Sequence, residues 1–207
     1  MPNWTSNRLK APTEVLKKYI GKDEDGKPFF DFNKVIPRPA IYDDPDLSSG
    51  NAEEWCIRWY LSDHGKTRQY LNEEKYRQYC QEHDEECYRR GEKYVKAFNE
   101  YGYKDWYDWS CANWGTKWNA CDSMFDNPDE PKSIEFETAW CCPYPVIGKI
   151  MDDNPDCLII FTWEDEDYNG THTLIRNQDG TLEKREEWIK REWDDDIPME
   201  YLESGGK

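Results

Sequence analysis

Hydrophobic and polar residues alternate in several short segments of the chain, which is the pattern of half-buried β-strands. Residues 133–140 alternate in this way, and residues 157–163 form a run of β-branched and aromatic side chains that predicts a central strand. Residues 7–10 predict another strand, and residues 171–176 predict a hairpin partner for the central one. These segments together predict a β-sheet.

Other segments carry apolar residues three and four positions apart, the spacing of amphipathic helices. Gly115 follows one of these segments and is expected to end the helix in a left-handed conformation. Five segments share the helical spacing: one that begins at Pro12, residues 72–101, 104–114 and 143–153, and a last short one from Glu186 to Trp193.

The order of these elements predicts an α+β fold, namely an antiparallel sheet with helices on one face. A β-α-β pattern stands on both sides of a helical insertion at about residues 51–120. We expect a single domain over residues 1–207, which ends in an acidic extension at about residues 177–207.

The composition supports a folded protein whose core is rich in aromatic rings. Only 37% of the 207 residues are hydrophobic, but 15% are aromatic, including 11 Trp and 14 Tyr. Acidic disordered chains lack such residues. The eight Cys are too sparse for a disulfide scaffold, and no secretory signal precedes them. We therefore expect reduced thiols and a cytoplasmic location.

Charge is distributed unevenly along the chain. The formal net charge is −17, of which residues 1–120 carry −2 and residues 121–207 carry −15. A negative charge of this size argues against binding of duplex DNA or of an anionic membrane. The longest apolar run, residues 158–161, is also far too short to cross a bilayer.

Tryptophan is concentrated at residues 106–118, and this segment belongs to a set of recognisable motifs. The motifs are Trp114-Gly115-Thr116-Lys117-Trp118, Met1-Pro2-Asn3-Trp4 with Asn7, Phe30-Asp31-Phe32-Asn33-Lys34-Val35-Ile36-Pro37, and Thr138-Ala139-Trp140 with Pro143 and Pro145. In these motifs the chain resembles the YubB ferredoxin-like domain family of phages, plasmids and integrated elements. The resemblance implies a ferredoxin-like fold without an iron–sulfur cluster and brings no established activity. We expect Trp114, Gly115, Trp118 and Trp140 to be structural.

Few residues point to catalysis or to a bound metal. Cys80, His83 and Cys87 share one helix face, but zinc requires a fourth ligand. Residues 165–170 resemble the start of a calcium-binding loop, yet Arg176 stands where that loop needs a bidentate Glu, so a hairpin turn is favoured. No nucleophile, phosphate-binding or zinc-protease motif is present. We predict no metal, no cofactor and no enzymatic activity.

The acidic second part of the chain carries the functional prediction. Fixed carboxylates can imitate the field of a nucleic acid and attract a basic channel, and nearby Trp residues can supply apolar anchors. The predicted partner is a basic nucleic-acid-handling host protein, such as a defence nuclease, which the chain would bind and inhibit. Single-stranded nucleic-acid binding through exposed aromatic residues and a metal-dependent enzyme are the alternatives. The predicted contact residues are Glu164, Asp165, Glu166, Asp167, Trp188, Trp193, Asp194, Asp195 and Asp196.

Overall fold

The computed structural model describes residues 3–48, 85–166 and 170–188. The chain divides into two compact units, one made of residues 1–37 and 113–207 and the other of residues 38–112. The insertion predicted at about residues 51–120 overlaps the second unit, and its first part, up to residue 84, lies outside the described residues.

The first unit contains a six-stranded antiparallel sheet and a small two-stranded hairpin. The order of strands in the large sheet is β4-β5-β1-β6-β7-β8, and the hairpin pairs β2 with β3. The strands are β1 Trp4–Lys10, β2 Ile20–Lys22, β3 Pro28–Phe30, β4 Cys121–Phe125, β5 Ser133–Ala139, β6 Ile159–Asp165, β7 Gly170–Arg176 and β8 Leu182–Trp188.

The helices of the first unit complete a ferredoxin-like arrangement. Two helices contribute, α1 (Thr13–Leu16) and α4 (Tyr144–Asp153). The element order β1-α1-β4-β5-α4-β6 is the β-α-β-β-α-β motif, in which α4 joins β5 to β6 and these two strands lie on either side of β1. The hairpin β2-β3 is inserted after α1, while β7 and β8 extend the sheet. The α+β prediction is therefore confirmed. Two further helices are α2 Glu85–Tyr101 and α3 Trp106–Asn113.

One face of the large sheet is covered by α4 and by the β2-β3 hairpin. The alternate residues of the central strands that point to this face are apolar. Tyr144 of α4 packs edge-on against Trp163 of β6, with ring centroids 5.0 Å apart. Phe30 of the hairpin packs against Phe136 of β5 at 4.9 Å. The core on this face consists of buried side chains from strands and helices: Leu9, Val15, Leu16, Phe30, Phe32, Ile134, Phe136, Val146, Ile147, Ile150, Ile159, Phe161 and Trp163.

In the second unit, polar contacts join α2 and the residues that follow it to the segment at residues 42–46. Lys93 of α2 donates hydrogen bonds to Asp44 and Asp46 at 2.6 and 2.7 Å. The Tyr42 hydroxyl donates to the carbonyl of Tyr103 at 2.9 Å. The helix predicted at residues 72–101 is confirmed over residues 85–101. No described helix has the length and apolar composition needed to cross a bilayer.

Three strands differ from the sequence prediction, namely β2, β4 and β8. The pattern did not predict β4, which forms because its backbone pairs with β5 across a register shift. The helix predicted from Glu186 is wrong for residues 186–188, which end β8. Glu, Lys and Arg favour helices, but here the pairing of residues 182–188 with β7 overrides that preference. Gly180, with φ of 82°, makes the turn between the two strands.

Candidate functional site

The second face of the large sheet, called the open face below, carries exposed and half-exposed polar side chains in the described part of the chain. It contains a depression of about 400 Å³ that β1, β4, β5, β6 and β7 line. Strand alternation brings these residues to one side, since they are interleaved with the core residues of the covered face. The polar and charged side chains that line the depression include Ser6, Arg8, Asp122, Glu135, Glu137 and Glu164.

Ser6 lies in the middle of the open face, between two glutamates. In the strand register, Ser6 is opposite Glu137 of β5 on one side and Glu164 of β6 on the other. Neighbouring strands lie about 4.8 Å apart, so the two glutamate backbones are about 10 Å apart. The small serine leaves space between the two carboxylates. Glu164 accepts a hydrogen bond from the Thr171 hydroxyl, which fixes one wall of this space.

Arg8 occupies the next position along the open face and pairs with Glu135. The Arg8 Nε atom donates to Glu135 Oε1 at 2.8 Å, and the two side chains are about half exposed. This ion pair offsets one of the acidic charges of the depression. Asp122, Glu137 and Glu164 remain, so the depression keeps a negative balance.

Asp122 extends the acidic character of the open face to the edge strand β4. It lies at the register shift of that strand and has a φ of 46°, a left-handed conformation that Asp and Asn tolerate better than most residues. The pKa of the neighbouring Cys121 thiol is raised, first by burial and then by the negative charges of Asp122 and Glu137.

The acidic run predicted as one contact surface is divided between the two faces of the sheet. Glu164 lies on the open face, whereas Asp165 turns to the other side and accepts a hydrogen bond from the buried Thr5 hydroxyl at 2.8 Å. Glu166 follows the strand and accepts from the backbone N–H of Trp4 at 2.9 Å. Alternation along β6 causes this division, so only part of the run is available to one partner.

The remaining predicted contact residues are only partly described. Trp188 ends β8, opposite Gly170 in the register. Asp167, Trp193, Asp194, Asp195 and Asp196 lie outside the described residues. Cys80 and His83, considered as zinc ligands, also lie outside them. The residues predicted to form a hairpin turn are flanked by β6 and β7, which are antiparallel neighbours, as that prediction requires.

Beneath the same end of the sheet, a buried polar cluster links β1 to β5. The Asn7 side chain donates to the Thr138 hydroxyl at 2.9 Å and to the Thr5 carbonyl at 2.8 Å. Thr138 in turn donates to the Cys141 carbonyl at 2.8 Å. The Oδ1 atom of Asn7 has no partner among the described residues. A buried acceptor of this kind is usually satisfied by an ordered water.

The vicinal cysteines differ in their surroundings. Cys141 is exposed and Cys142 is buried, and both thiols are free. The pKa of Cys142 is raised to about 12, mainly because burial disfavours the thiolate and also because Asp165 and Cys141 lie nearby. Since the thiolate is the nucleophile, Cys142 is unreactive at neutral pH. In the described part of the chain, no group of three or more His, Cys, Asp and Glu is arranged to hold a metal ion.

The motif residues expected to be structural have unequal roles. Trp114 is 1% exposed, and its Nε1 atom donates to the Ile36 carbonyl at 2.9 Å. Gly115 has a φ of 80°, and an added Cβ would lie 2.7 Å from Pro145 Cδ, so a larger residue is excluded there. Trp118 is half-buried and Trp140 is 45% exposed, so neither belongs to the buried core as Trp114 does.

Sequence reasoning identified Glu164 but missed the arrangement around it. The shared face of Glu135 and Glu137 is visible in the alternation of their strand. The positions of Ser6, Arg8 and Asp122 beside them depend on the register and on the bulge of β4, for which the local sequence gives no signal.

Comparison with known proteins adds little to this description. No family model and no curated protein sequence matches the chain. A solved structure, that of protein api92 from Yersinia pseudotuberculosis, assigned to family DUF1281, matches 92% of this chain and 100% of its own. The sequence identity is 9% and the TM-score is 0.44, and a likeness of this size carries no argument about function.

Proposed function

We propose that the protein is a non-enzymatic binder of a basic, nucleic-acid-handling protein, and that the open face of its sheet is the contact surface. The observation that carries the proposal is the set of carboxylates that three strands bring to one uncovered depression, namely Asp122, Glu137 and Glu164. The net charge of −17 adds a long-range attraction for a basic surface.

This arrangement fits a nucleic-acid channel better than it fits a small substrate. A channel that binds DNA presents Lys and Arg side chains to a row of phosphates. Carboxylates on a rigid sheet present fixed negative charges to the same side chains, with no conformational change required of the sheet. Occupation of this channel would inhibit the partner. An example of such a partner is a defence nuclease in the bacterial cytoplasm that is inhibited by a protein from a phage or plasmid.

Single-stranded nucleic-acid binding is less well supported. Sheets that bind single strands place aromatic rings on the uncovered face, where bases stack on them. In this sheet Phe136, Phe161 and Trp163 lie on the covered face and are at most 4% exposed, while Trp4, at the start of β1, is the aromatic residue that this strand brings to the open face. The open face beside them is acidic and would repel phosphates.

The test is affinity capture from the natural host with two variants of equal charge. The open-face variant carries Asp122→Asn, Glu137→Gln and Glu164→Gln. The control carries Glu24→Gln, Asp25→Asn and Glu130→Gln, all at exposed turn positions. We expect the parent and the control to capture the same basic nucleic-acid-handling protein and to block its binding of DNA.

The open-face variant should lose both capture and inhibition, with its melting temperature unchanged. Equal capture by the two variants would reject the open face as the contact surface. A captured set without basic nucleic-acid-handling proteins would reject the proposed partner class.

A further inference from the structure

Three tryptophans and one lysine form a cluster at one end of the open face. The rings of Trp4 and Trp118 have centroids 6.1 Å apart. The Lys117 ammonium lies 4.3 Å from the ring centroid of Trp118 and 5.1 Å from that of Trp140. These distances are within the range of cation–π attraction. The rings of this tryptophan cluster therefore already attract one cation, supplied by the chain itself.

Trp140 has a backbone conformation that is unusual for a large side chain. Its φ is 72°, in the left-handed region that glycine adopts freely and bulky residues rarely adopt. The backbone N–H of Trp140 donates to the Asn3 carbonyl at 2.9 Å, which holds this conformation. Strained residues of this kind concentrate at functional sites.

The strain at Trp140 is not explained by packing in the core. Its ring is 45% exposed, whereas that of Trp114 is 1% exposed. Because a glycine would make the same turn without strain, the feature that Trp140 adds is an indole ring presented at the surface. Indole rings that combine exposed area with restricted motion are frequent anchors of protein–protein contacts.

The charges beside the tryptophan cluster are acidic. Glu166 accepts a hydrogen bond from the backbone N–H of Trp4, and the next residue of β1 on the same face, Ser6, is flanked by Glu137 and Glu164. Glu137 precedes Trp140 by three residues, so their backbones are at most about 11 Å apart. Lys117 contributes one positive charge to this end of the face, whereas Glu137, Glu164 and Glu166 contribute three negative charges.

We propose that Trp140 stacks against an arginine side chain of the bound protein, while a neighbouring glutamate pairs with the same guanidinium. The inference rests on the proposed function, since it names the partner group that the acidic face receives. A guanidinium is planar, stacks on an indole and binds a carboxylate through two N–H groups, whereas an ammonium is a compact, strongly hydrated point charge. The site should therefore prefer arginine to lysine.

The experiment compares nona-arginine with nona-lysine, titrated into the full-length protein by calorimetry at 0.15 M salt. A lysine ammonium is also attracted to an indole, but only the guanidinium stacks on the ring while it binds the carboxylate through two N–H groups, so we expect a preference for nona-arginine of about two- to fivefold. Trp140→Gly should abolish this preference by weakening the binding of nona-arginine more than that of nona-lysine. Since glycine adopts this backbone conformation without strain, the melting temperature of the Trp140→Gly variant should equal or exceed that of the parent protein. Trp140→Phe, which retains a ring, should keep part of the preference.

The outcomes separate this inference from the proposed function. No arginine preference in the parent, or an unchanged preference in Trp140→Gly, overturns the inference alone, provided that the open-face variant still weakens binding of both peptides. If the parent binds neither peptide, the proposed function fails and the inference fails with it. Binding of a 15-nucleotide oligothymidine that Trp140→Gly abolishes would overturn the inference in favour of a nucleobase as the stacking group.

Discussion

The two faces of the large sheet are built from the same strands but have opposite compositions. Leu9, Phe136 and Phe161 point to the covered face and are at most 2% exposed, whereas their neighbours Arg8 and Glu137 point to the open face. On the covered face, packing and buried hydrogen bonds stabilise the fold. On the open face, the charged side chains are exposed or half-exposed, and ion pairs in such positions contribute little to stability.

This division indicates which substitutions the fold tolerates. Removing a side chain from the covered face leaves a cavity or an unsatisfied polar group. Removing one from the open face exposes a gap to water, at little cost in stability. The protein can therefore vary its acidic surface without losing its fold, which is the property expected of a contact face.

The largest difference is expected between two tryptophans of the same motif set. Trp114→Ala should lower the free energy of unfolding by about 3–5 kcal/mol, because it empties a core position and removes the hydrogen bond to Ile36. Trp140→Ala should lower it by less than about 1 kcal/mol. Urea denaturation of both variants checks this, and equal losses would show that Trp140 is as structural as Trp114.

An intermediate effect is expected for adjacent residues of β1 that face opposite sides. Asn7→Ala removes the buried hydrogen bonds to Thr138, Thr5 and Phe136, and should cost about 1–3 kcal/mol. Ser6→Ala, on the open face, should change stability by no more than about 0.5 kcal/mol. Thermal denaturation of the two variants tests the contrast. A larger loss for Ser6→Ala than for Asn7→Ala would contradict the assignment of the two faces.

The smallest effect is expected at alkaline pH and involves Cys142 on the covered side. Its folded-state pKa of about 12 lies above the ordinary thiol value, so between these two values the unfolded chain loses a proton that the folded chain retains. Stability should therefore fall as the pH rises from about 9, by about 1 kcal/mol near pH 10 from this group. The decline between pH 8 and pH 10 should be smaller in Cys142→Ala, measured by urea denaturation. An equal decline would assign the effect to other groups.

The sequence by itself determined the elements whose signals are local. Alternation of apolar residues predicted β5, a run of β-branched and aromatic residues predicted β6, and β7 was predicted as the hairpin partner of β6. The order of strands and helices predicted an α+β fold. The left-handed turn at Gly115 followed from the residue type, since glycine is the residue best suited to that conformation. These features depend on the steric limits of each residue's backbone and on the burial of one face of each element. Both are encoded in residues that are close together in the sequence.

Only the tertiary structure decided which acidic residues lie together. Glu164 and Asp165 are adjacent in the sequence but lie on opposite faces, while Glu137 and Glu164 are 27 positions apart and flank the same serine. The register of β1 against both neighbours produces this arrangement, and it is set by long-range backbone pairing and by the packing of the covered face. The exposure of Trp140 has the same origin, because the backbone turn after β5 directs its ring away from the core while Trp114, from the same motif set, lies within it.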